Sequence, residues 1–161
     1  MMNVSSIQIC KVSPMTIRKV KSVYSNTGVE GDFGWMIQQE KYARSLFIFN
    51  DNETQFNAFH ANEPSGLSVG GGNAVIRPFQ GGACPRAAGI PTGDGVGYQA
   101  LDTNVKDVID QAIGYIKQLL GSGNYEEIVF STDQEGETLG TGIYEVDRAV
   151  LDYIFQKLME I

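Results

Sequence analysis

Residues 44–77 constrain the fold more than any other stretch of the chain. They open with a short apolar run rich in aromatic residues, Leu46–Phe49, which is too short for a helix and predicts a buried strand. Turn-forming residues 50–52 (Asn-Asp-Asn) and a polar loop follow, and then three glycines at 70–72 lead into a predicted helix at 73–76. Polar groups at the carboxyl end of a strand, followed by glycines and a helix N-terminus, are typical of the ligand crevice of open α/β sheets. Such glycines let the backbone approach a ligand, and the helix amides favour an anion.

The second half of the chain repeats this order of elements. Apolar residues at i, i+3 and i+4 predict a helix over 105–120, with N-cap candidates at 102–104 and a stop at Gly121. A short buried strand is predicted at residues 128–130. A second glycine loop at 131–142 and a last helix at 146–159 complete the pattern.

The remaining segments are less regular. Residues 4–12 alternate loosely and predict a first strand, whereas residues 16–24 suit either a helix or a strand. A turn is predicted at 26–28 and a helical stretch at 35–44. Residues 78–97 are dense in glycine and proline, which indicates either a functional or mobile loop or a plain surface loop, with a possible short strand at 87–90.

Strands that alternate with helices imply a largely parallel sheet with helices on both faces. We therefore expect an α/β fold with a central mixed, mostly parallel sheet. A length of 161 residues suits one domain with a full core, so residues 1–161 are predicted to form a single domain.

Composition excludes several classes of partner. The formal net charge of −7 argues against binding to a nucleic-acid backbone, which relies on clustered Lys and Arg. No apolar run approaches the ~18 residues of a membrane span, and no secretory or lipidation signal is evident. We therefore expect no membrane association and a cytoplasmic location. Cys10 and Cys84 fit no zinc or CxxC spacing and are expected to be reduced, and buried or inert.

Several common catalytic motifs are absent from the sequence. It contains no GxxxxGK[ST], GxGxxG or HExxH segment, so P-loop, dinucleotide-binding and zincin chemistry are not supported. The single histidine, His60, rules out a two-histidine metal site. It is either an exposed or structural residue, or a general acid or base near the first glycine loop.

Four motifs in order resemble those of the macrodomain, the ADP-ribose-binding α/β/α module. They are a Gly-Asp-Phe at 31–33, a strand end at 49–52, Gly-Gly-Gly-Asn-Ala-Val-Ile at 70–76 and, after the strand at 128–130, Gly-Thr-Gly-Ile-Tyr at 140–144. The resemblance covers about residues 28–158 and implies a three-layer α/β/α macrodomain-like fold. The segments FIFNDN, GGGNAVIR and GIPTG together are also similar to small, phage-type macrodomain-like proteins.

The resemblance also implies a set of site residues. Asp32 would accept a hydrogen bond from the adenine amino group, although it could equally be a turn or cap residue. Asn52 would contact the terminal ribose, and either Asn52 or Asp51 would orient a catalytic water, although Asn52 could instead form an Asx-turn. Tyr144 would lie near the ribose or else belong to the core. The remaining ligand-binding candidates are Asn50, Gly70, Gly71, Gly72, Asn73, Gly140, Thr141, Gly142 and Ile143.

The activity implied by the resemblance is hydrolysis at the anomeric carbon of an ADP-ribosylated side chain or of ADP-ribose 1''-phosphate. It requires no cofactor and no metal. Positioning and preorganised donors would supply most of the catalysis, and Asp51 could act as a base if burial raises its pKa. Two alternatives remain open: a non-catalytic module that binds or sequesters ADP-ribose or a related nucleotide, and an interaction protein without a small ligand.

Overall fold

The computed structural model of the protein describes residues 16–63, 66–142 and 144–161. Within these residues one sheet is formed by β1 (Arg18–Ser22), β2 (Ser45–Asn52), β3 (Ala87–Asp94), β4 (Val96–Gly97) and β5 (Glu127–Ser131). Their order in space is β1-β5-β2-β3-β4. The first four strands in this order run parallel, and the two-residue β4 is antiparallel to β3. The predicted α/β class with a mixed, mostly parallel sheet is confirmed.

Helical elements cover both faces of the sheet, as in a three-layer α/β/α fold. They are α1 (Phe33–Met36), α2 (Glu53–His60), α3 (Thr103–Leu120), α4 (Arg148–Met159) and two 3₁₀ helices at Glu40–Tyr42 and Gly72–Gln80. The larger hydrophobic core lies between the sheet and α2, α3 and α4. The smaller core lies on the opposite face, under α1 and the two 3₁₀ helices.

The central strand β2 contributes to both cores because successive side chains of a strand point to opposite faces. Leu46 and Ile48 belong to the larger core, whereas Phe47 and Phe49 belong to the smaller one. All four are buried, which explains why this part of the strand is apolar without alternation.

The longest helix follows its predicted periodicity closely. α3 begins at Thr103 after Asp102, whose side chain accepts a hydrogen bond from the Val105 amide, and Gly121 is its C-cap. All of its buried residues belong to the set that the i, i+3, i+4 pattern selects: Val105, Ile109, Ala112, Ile113 and Ile116. The other three residues of that set, Val108, Leu119 and Leu120, are partly buried. The strands predicted at 46–49 and 128–130 are also present, as β2 and β5.

Two predictions in the first half of the chain are wrong. The polar loop expected after residue 52 begins with the eight-residue helix α2, since Asn52 caps it and Phe56 is fully buried in the larger core. The continuous helix expected at 35–44 is instead α1 followed by a separate 3₁₀ turn. Gln39 has an extended backbone, with φ −84° and ψ 138°, and interrupts the helix.

The glycine- and proline-rich segment is more regular than its composition suggests. β3 extends through Gly89, Pro91 and Gly93, well beyond the short strand suggested at 87–90. β4 pairs only with Gly93 and Asp94, so the missing amide of Pro91 costs no hydrogen bond to that strand. A Cβ atom at Gly89 would lie 2.7 Å from Oδ2 of Asp51, so this glycine makes room for the carboxylate.

Other predictions have mixed outcomes. Residues 18–22 of the ambiguous segment form a strand, and the predicted strand at 4–12 lies outside the described residues. α4 begins at Arg148, two residues later than predicted, because its N-cap Asp147 has a ψ of 135°, outside the helical range. Cys84 is a free and exposed thiol, so of the two expected alternatives, buried or inert, burial is wrong; Cys10 lies outside the described residues. No helix in the described ranges has the length and apolarity needed to cross a membrane.

Candidate functional site

Both glycine loops lie at the carboxyl edge of the parallel strands. In the first loop (residues 70–73), the Asn73 Nδ2 atom donates to the Ser131 hydroxyl at the end of β5, over 3.1 Å. In the second loop (residues 140–144), the Gly140 carbonyl accepts from Asn50 Nδ2 near the end of β2, over 2.7 Å. The two loops therefore meet above the ends of the neighbouring strands β5 and β2.

The first glycine loop contacts α1 and β5 and leads into the 3₁₀ helix at Gly72–Gln80. Asn73 also accepts a hydrogen bond from the Phe33 amide through Oδ1, at 2.9 Å, so one side chain joins α1 to β5. Gly71 and Gly72 are exposed, and a Cβ atom at either would meet nothing within 4 Å. The helix that follows is a 3₁₀ helix starting at Gly72, and the amides at its start have no partner within the helix.

The second glycine loop passes from β5 across β2 toward β4. The Gly140 amide donates to the Ser131 carbonyl, and a Cβ atom at Gly140 would lie 2.5 Å from the Thr132 carbonyl oxygen. Gly142 has φ +69°, a conformation that favours glycine, and it is exposed. Ile143 lies outside the described residues.

The end of the second loop is held against β4. A Cβ atom at Gly97 would lie 2.1 Å from the Glu145 carbonyl oxygen, so this glycine permits a close backbone approach. Tyr144 is 59% exposed and is not a core residue.

Asp32 caps α1 at the edge of the first loop. Its Oδ1 accepts from the Gly34 amide at 3.1 Å and its Oδ2 from the Gly28 amide at 2.7 Å. The cap role considered for this residue is therefore observed. Each oxygen can accept a further hydrogen bond, since an ionised carboxylate has about four acceptor positions.

The two proposed catalytic residues point to opposite faces of the sheet. Asn52 ends β2 and caps α2 by accepting a hydrogen bond from the Gln55 amide at 2.8 Å. Asp51 turns toward the smaller core, where its Oδ1 lies 2.5 Å from Nη2 of Arg77. The alternation of side chains along a strand separates these neighbours, so they do not form a joint catalytic pair.

The environment of Asp51 argues against its acting as a general base. Its side chain is 0% exposed and that of Arg77 is 4% exposed. Burial raises the pKa of the Asp51 carboxyl, and the Arg77 guanidinium and the Asn52 amide offset only part of that rise. The pKa shift has the anticipated direction, but the carboxylate is closed off from solvent.

Two open hollows adjoin the second glycine loop. One, of about 480 Å³, is lined by Gln99, Thr141, Tyr144, Glu145, Val146, Asp147 and Arg148. The other, of about 330 Å³, is lined by residues 95–97, Gln99, Tyr144 and Glu145. Both take in Tyr144, but neither includes residues 70–73, Asp32 or Asn50. The candidate ligand residues are thus divided between the loop junction and these hollows.

His60 lies in an aromatic cluster away from the loops. Its ring centroid is 4.3 Å from that of Phe56, 5.0 Å from that of Phe59 and 4.8 Å from that of Tyr115. Burial lowers the pKa of the imidazole, and the structural interpretation of this residue is the one that its contacts favour. Among the described residues, no group of three or more His, Cys, Asp or Glu side chains could hold a metal ion.

Sequence reasoning missed Arg77 and Ser131. Arg77 is buried within the 3₁₀ helix, and Ser131 supplies the hydroxyl that receives Asn73. The one available signal for Arg77 was its position among apolar neighbours, Val75-Ile76 before it and Pro78-Phe79 after it. A charged residue in such a run is a candidate for a buried ion pair.

Comparison of the chain with protein-family models, with curated proteins and with solved structures finds no match.

Proposed function

We propose that the protein is a macrodomain-like module that binds ADP-ribose or a closely related nucleotide in a groove between its two glycine loops. The observation that carries the proposal is the joint attachment of both loops to the ends of β5 and β2, through Asn73 and Asn50. Crevices at the carboxyl ends of parallel strands are the usual ligand sites of open α/β sheets.

The chemistry of the loops suits a pyrophosphate. Amides at the start of the 3₁₀ helix lack internal partners, and exposed Gly71 and Gly72 leave them open to a ligand. Concave runs of main-chain N–H groups bind phosphate without requiring positive side chains. This accounts for an anion site in a chain whose formal net charge is −7.

Asp32 is suited to recognise the base. Its carboxylate is held in one orientation by two backbone amides, and acceptor positions remain for the adenine amino group. The residue is 9% exposed, so a hydrogen bond to it would be partly shielded from water.

Hydrolysis of an ADP-ribosyl linkage is the second candidate function. The cap of α2 uses the side-chain oxygen of Asn52, Oδ1, which accepts from the Gln55 amide. The side-chain nitrogen, Nδ2, remains available to orient a water or a ribose hydroxyl. Asp51 is not available for this step, because its carboxylate is buried against Arg77. Binding is therefore better supported than catalysis as the function of this site.

Calorimetric titration with ADP-ribose, ADP and adenosine tests the proposal. We expect ADP-ribose and ADP to bind and adenosine to bind much more weakly, because adenosine lacks the pyrophosphate. Release of ADP-ribose from ADP-ribosylated protein or from ADP-ribose 1''-phosphate would establish the hydrolase. No heat and no thermal shift with any adenine nucleotide would refute both functions and leave an interaction protein.

A further inference from the structure

A buried ion pair lies directly beneath the first glycine loop. Arg77 Nη2 contacts Asp51 Oδ1 at 2.5 Å, and Arg77 Nη1 donates to the Ser68 carbonyl at 2.5 Å. One guanidinium therefore connects the end of β2 to the segment that enters the loop. The ring of Phe49 lies below it, with the guanidinium carbon 5.8 Å from the ring centroid.

This ion pair is poorly arranged for stability alone. Two buried polar atoms of the pair itself, Asp51 Oδ2 and Arg77 Nε, have no hydrogen-bond partner among the described protein residues. Removing two charges from water is costly, and a buried pair recovers that cost only when its remaining polar positions are also satisfied. The geometry of the pair thus suggests another role.

The loop is packed tightly against the guanidinium. A Cβ atom at Gly70 would lie 3.0 Å from Arg77 Nη1 and 2.6 Å from the Ala74 Cβ, so only glycine allows this approach. Two residues earlier, the Ser68 amide donates to Gln55 Oε1 while the Ser68 carbonyl accepts from Arg77. The entry to the loop is therefore held from both sides, by α2 and by the 3₁₀ helix.

We propose that Arg77 and Asp51 are positioning residues that fix the height and orientation of the first glycine loop above the sheet. Asp51 orients the guanidinium, and the guanidinium holds the Ser68 carbonyl so that the amides of residues 71–73 stay open to a ligand. The consequence for ligand affinity rests on the proposed function, whereas the consequence for loop order does not.

The planar fork of arginine is essential to this role. Two nitrogens of one rigid group reach acceptors that belong to different elements, which the single ammonium of lysine cannot do in the same geometry. Arg77→Lys keeps the charge opposite Asp51 but loses the bond to Ser68. It therefore separates loop positioning from charge balance, and it is the variant best able to retain the fold.

Hydrogen exchange of the backbone amides of residues 66–74 is the primary test. Within this range the amides of Gly66, Ser68, Gly70 and Ala74 donate hydrogen bonds. We expect their exchange to be about tenfold to a hundredfold faster in Arg77→Lys and Arg77→Met, the range that loss of a hydrogen bond to a charged group produces. In the double variant Asp51→Asn/Arg77→Met, resistance to urea should recover relative to Arg77→Met, while exchange at 66–74 stays fast. ADP-ribose affinity should fall in both single variants by the factor by which the fraction of protein with a correctly positioned loop decreases.

Arg86→Met is the matched control. Arg86 is also partly buried and donates to the carbonyls of Ser45 and Tyr42, but it lies at the opposite end of the strands. This variant should lose stability without faster exchange at residues 66–74.

The proposal is overturned if exchange at 66–74 is unchanged in Arg77→Lys, or if the double variant restores slow exchange. It is also overturned if Arg86→Met accelerates exchange in those residues to the same extent. A wild-type protein that binds no ADP-ribose would refute the proposed function, and the exchange measurements would still decide the role of Arg77.

Discussion

At the scale of single residues, the free space around each glycine of the loops decides whether it can be substituted without disturbing the fold. Gly71 has an extended backbone, with φ −86°, and open space where a Cβ would lie. Gly70, its neighbour, has no such space because of Ala74 and Arg77. Gly142 is open but has φ +69°, so a side chain there also strains the backbone. Gly71 is therefore the position at which a ligand site can be blocked without disturbing the fold.

Gly71→Val should abolish ADP-ribose binding and change the free energy of unfolding by less than about 0.5 kcal/mol, as for an ordinary surface substitution. The added side chain would occupy the phosphate position. Calorimetry and urea denaturation measure the two quantities. Gly81→Val is the matched control, since Gly81 also has an extended backbone and open space but precedes β3 at the other end of the sheet. Normal binding by Gly71→Val would show that the phosphate site is elsewhere.

At the scale of elements, α2 depends on one capping residue. Asn52 ends β2 and starts α2 without an intervening loop, and its side chain satisfies the Gln55 amide. The helix has eight residues, of which Phe56 and Ala58 are buried, so its own packing is limited. A cap of this kind contributes about 1 kcal/mol and joins the strand to the helix at the site.

Asn52→Ala should destabilise the protein by about 1 kcal/mol, whereas Asn52→Ser, which retains a capping oxygen, should leave stability close to wild type. Both variants lose the side-chain amide nitrogen. If Asn52 acts in catalysis, both should lower turnover of an ADP-ribosylated substrate more than they lower affinity. Wild-type turnover in Asn52→Ser would show that Asn52 acts only as the N-cap of α2 and has no role in catalysis.

At the scale of the whole molecule, two cores of unequal size are joined through one sheet. The larger core includes α2 and α3, and the aromatic cluster around His60 joins these helices at its margin. Burial favours the neutral imidazole and places the pKa of His60 below its ordinary value of 6.5. In the unfolded chain the imidazole is solvated and takes up a proton more readily.

Stability should therefore depend on pH through His60. The contribution of the neutral imidazole is present above pH 6.5 and is lost as the pH falls through 6.5 toward the lower pKa of the folded state. Urea denaturation at pH 7.5, 6.5 and 5.5 measures this loss. His60→Gln should show a smaller loss over the same range, because His60 is the single histidine in the chain. Parallel stability changes in the two proteins would exclude His60 as the cause.

The sequence alone determined those features that rest on local periodicity and local caps. α3 begins at Thr103 and ends at Leu120, close to the predicted 105–120, because burial of one face imposes a spacing that is visible along the chain. β2 and β5 were evident because buried strands of a parallel sheet are short apolar runs. The α/β class follows from the alternation of these elements.

The tertiary structure alone decided which polar groups meet. The hydrogen bond from Asn50 to Gly140 spans 90 positions in the chain, and the Arg77–Asp51 pair spans 26. The order of the strands brings Asn50 close to Gly140. The face of the sheet to which Asp51 points determines its pairing with Arg77. Asp51 thus lies in the smaller core beside Arg77, because alternation along β2 turns it away from Asn52. The local sequence pattern specifies which face of each element is apolar. Only the packing of the elements across the sheet determines which partner each polar side chain contacts.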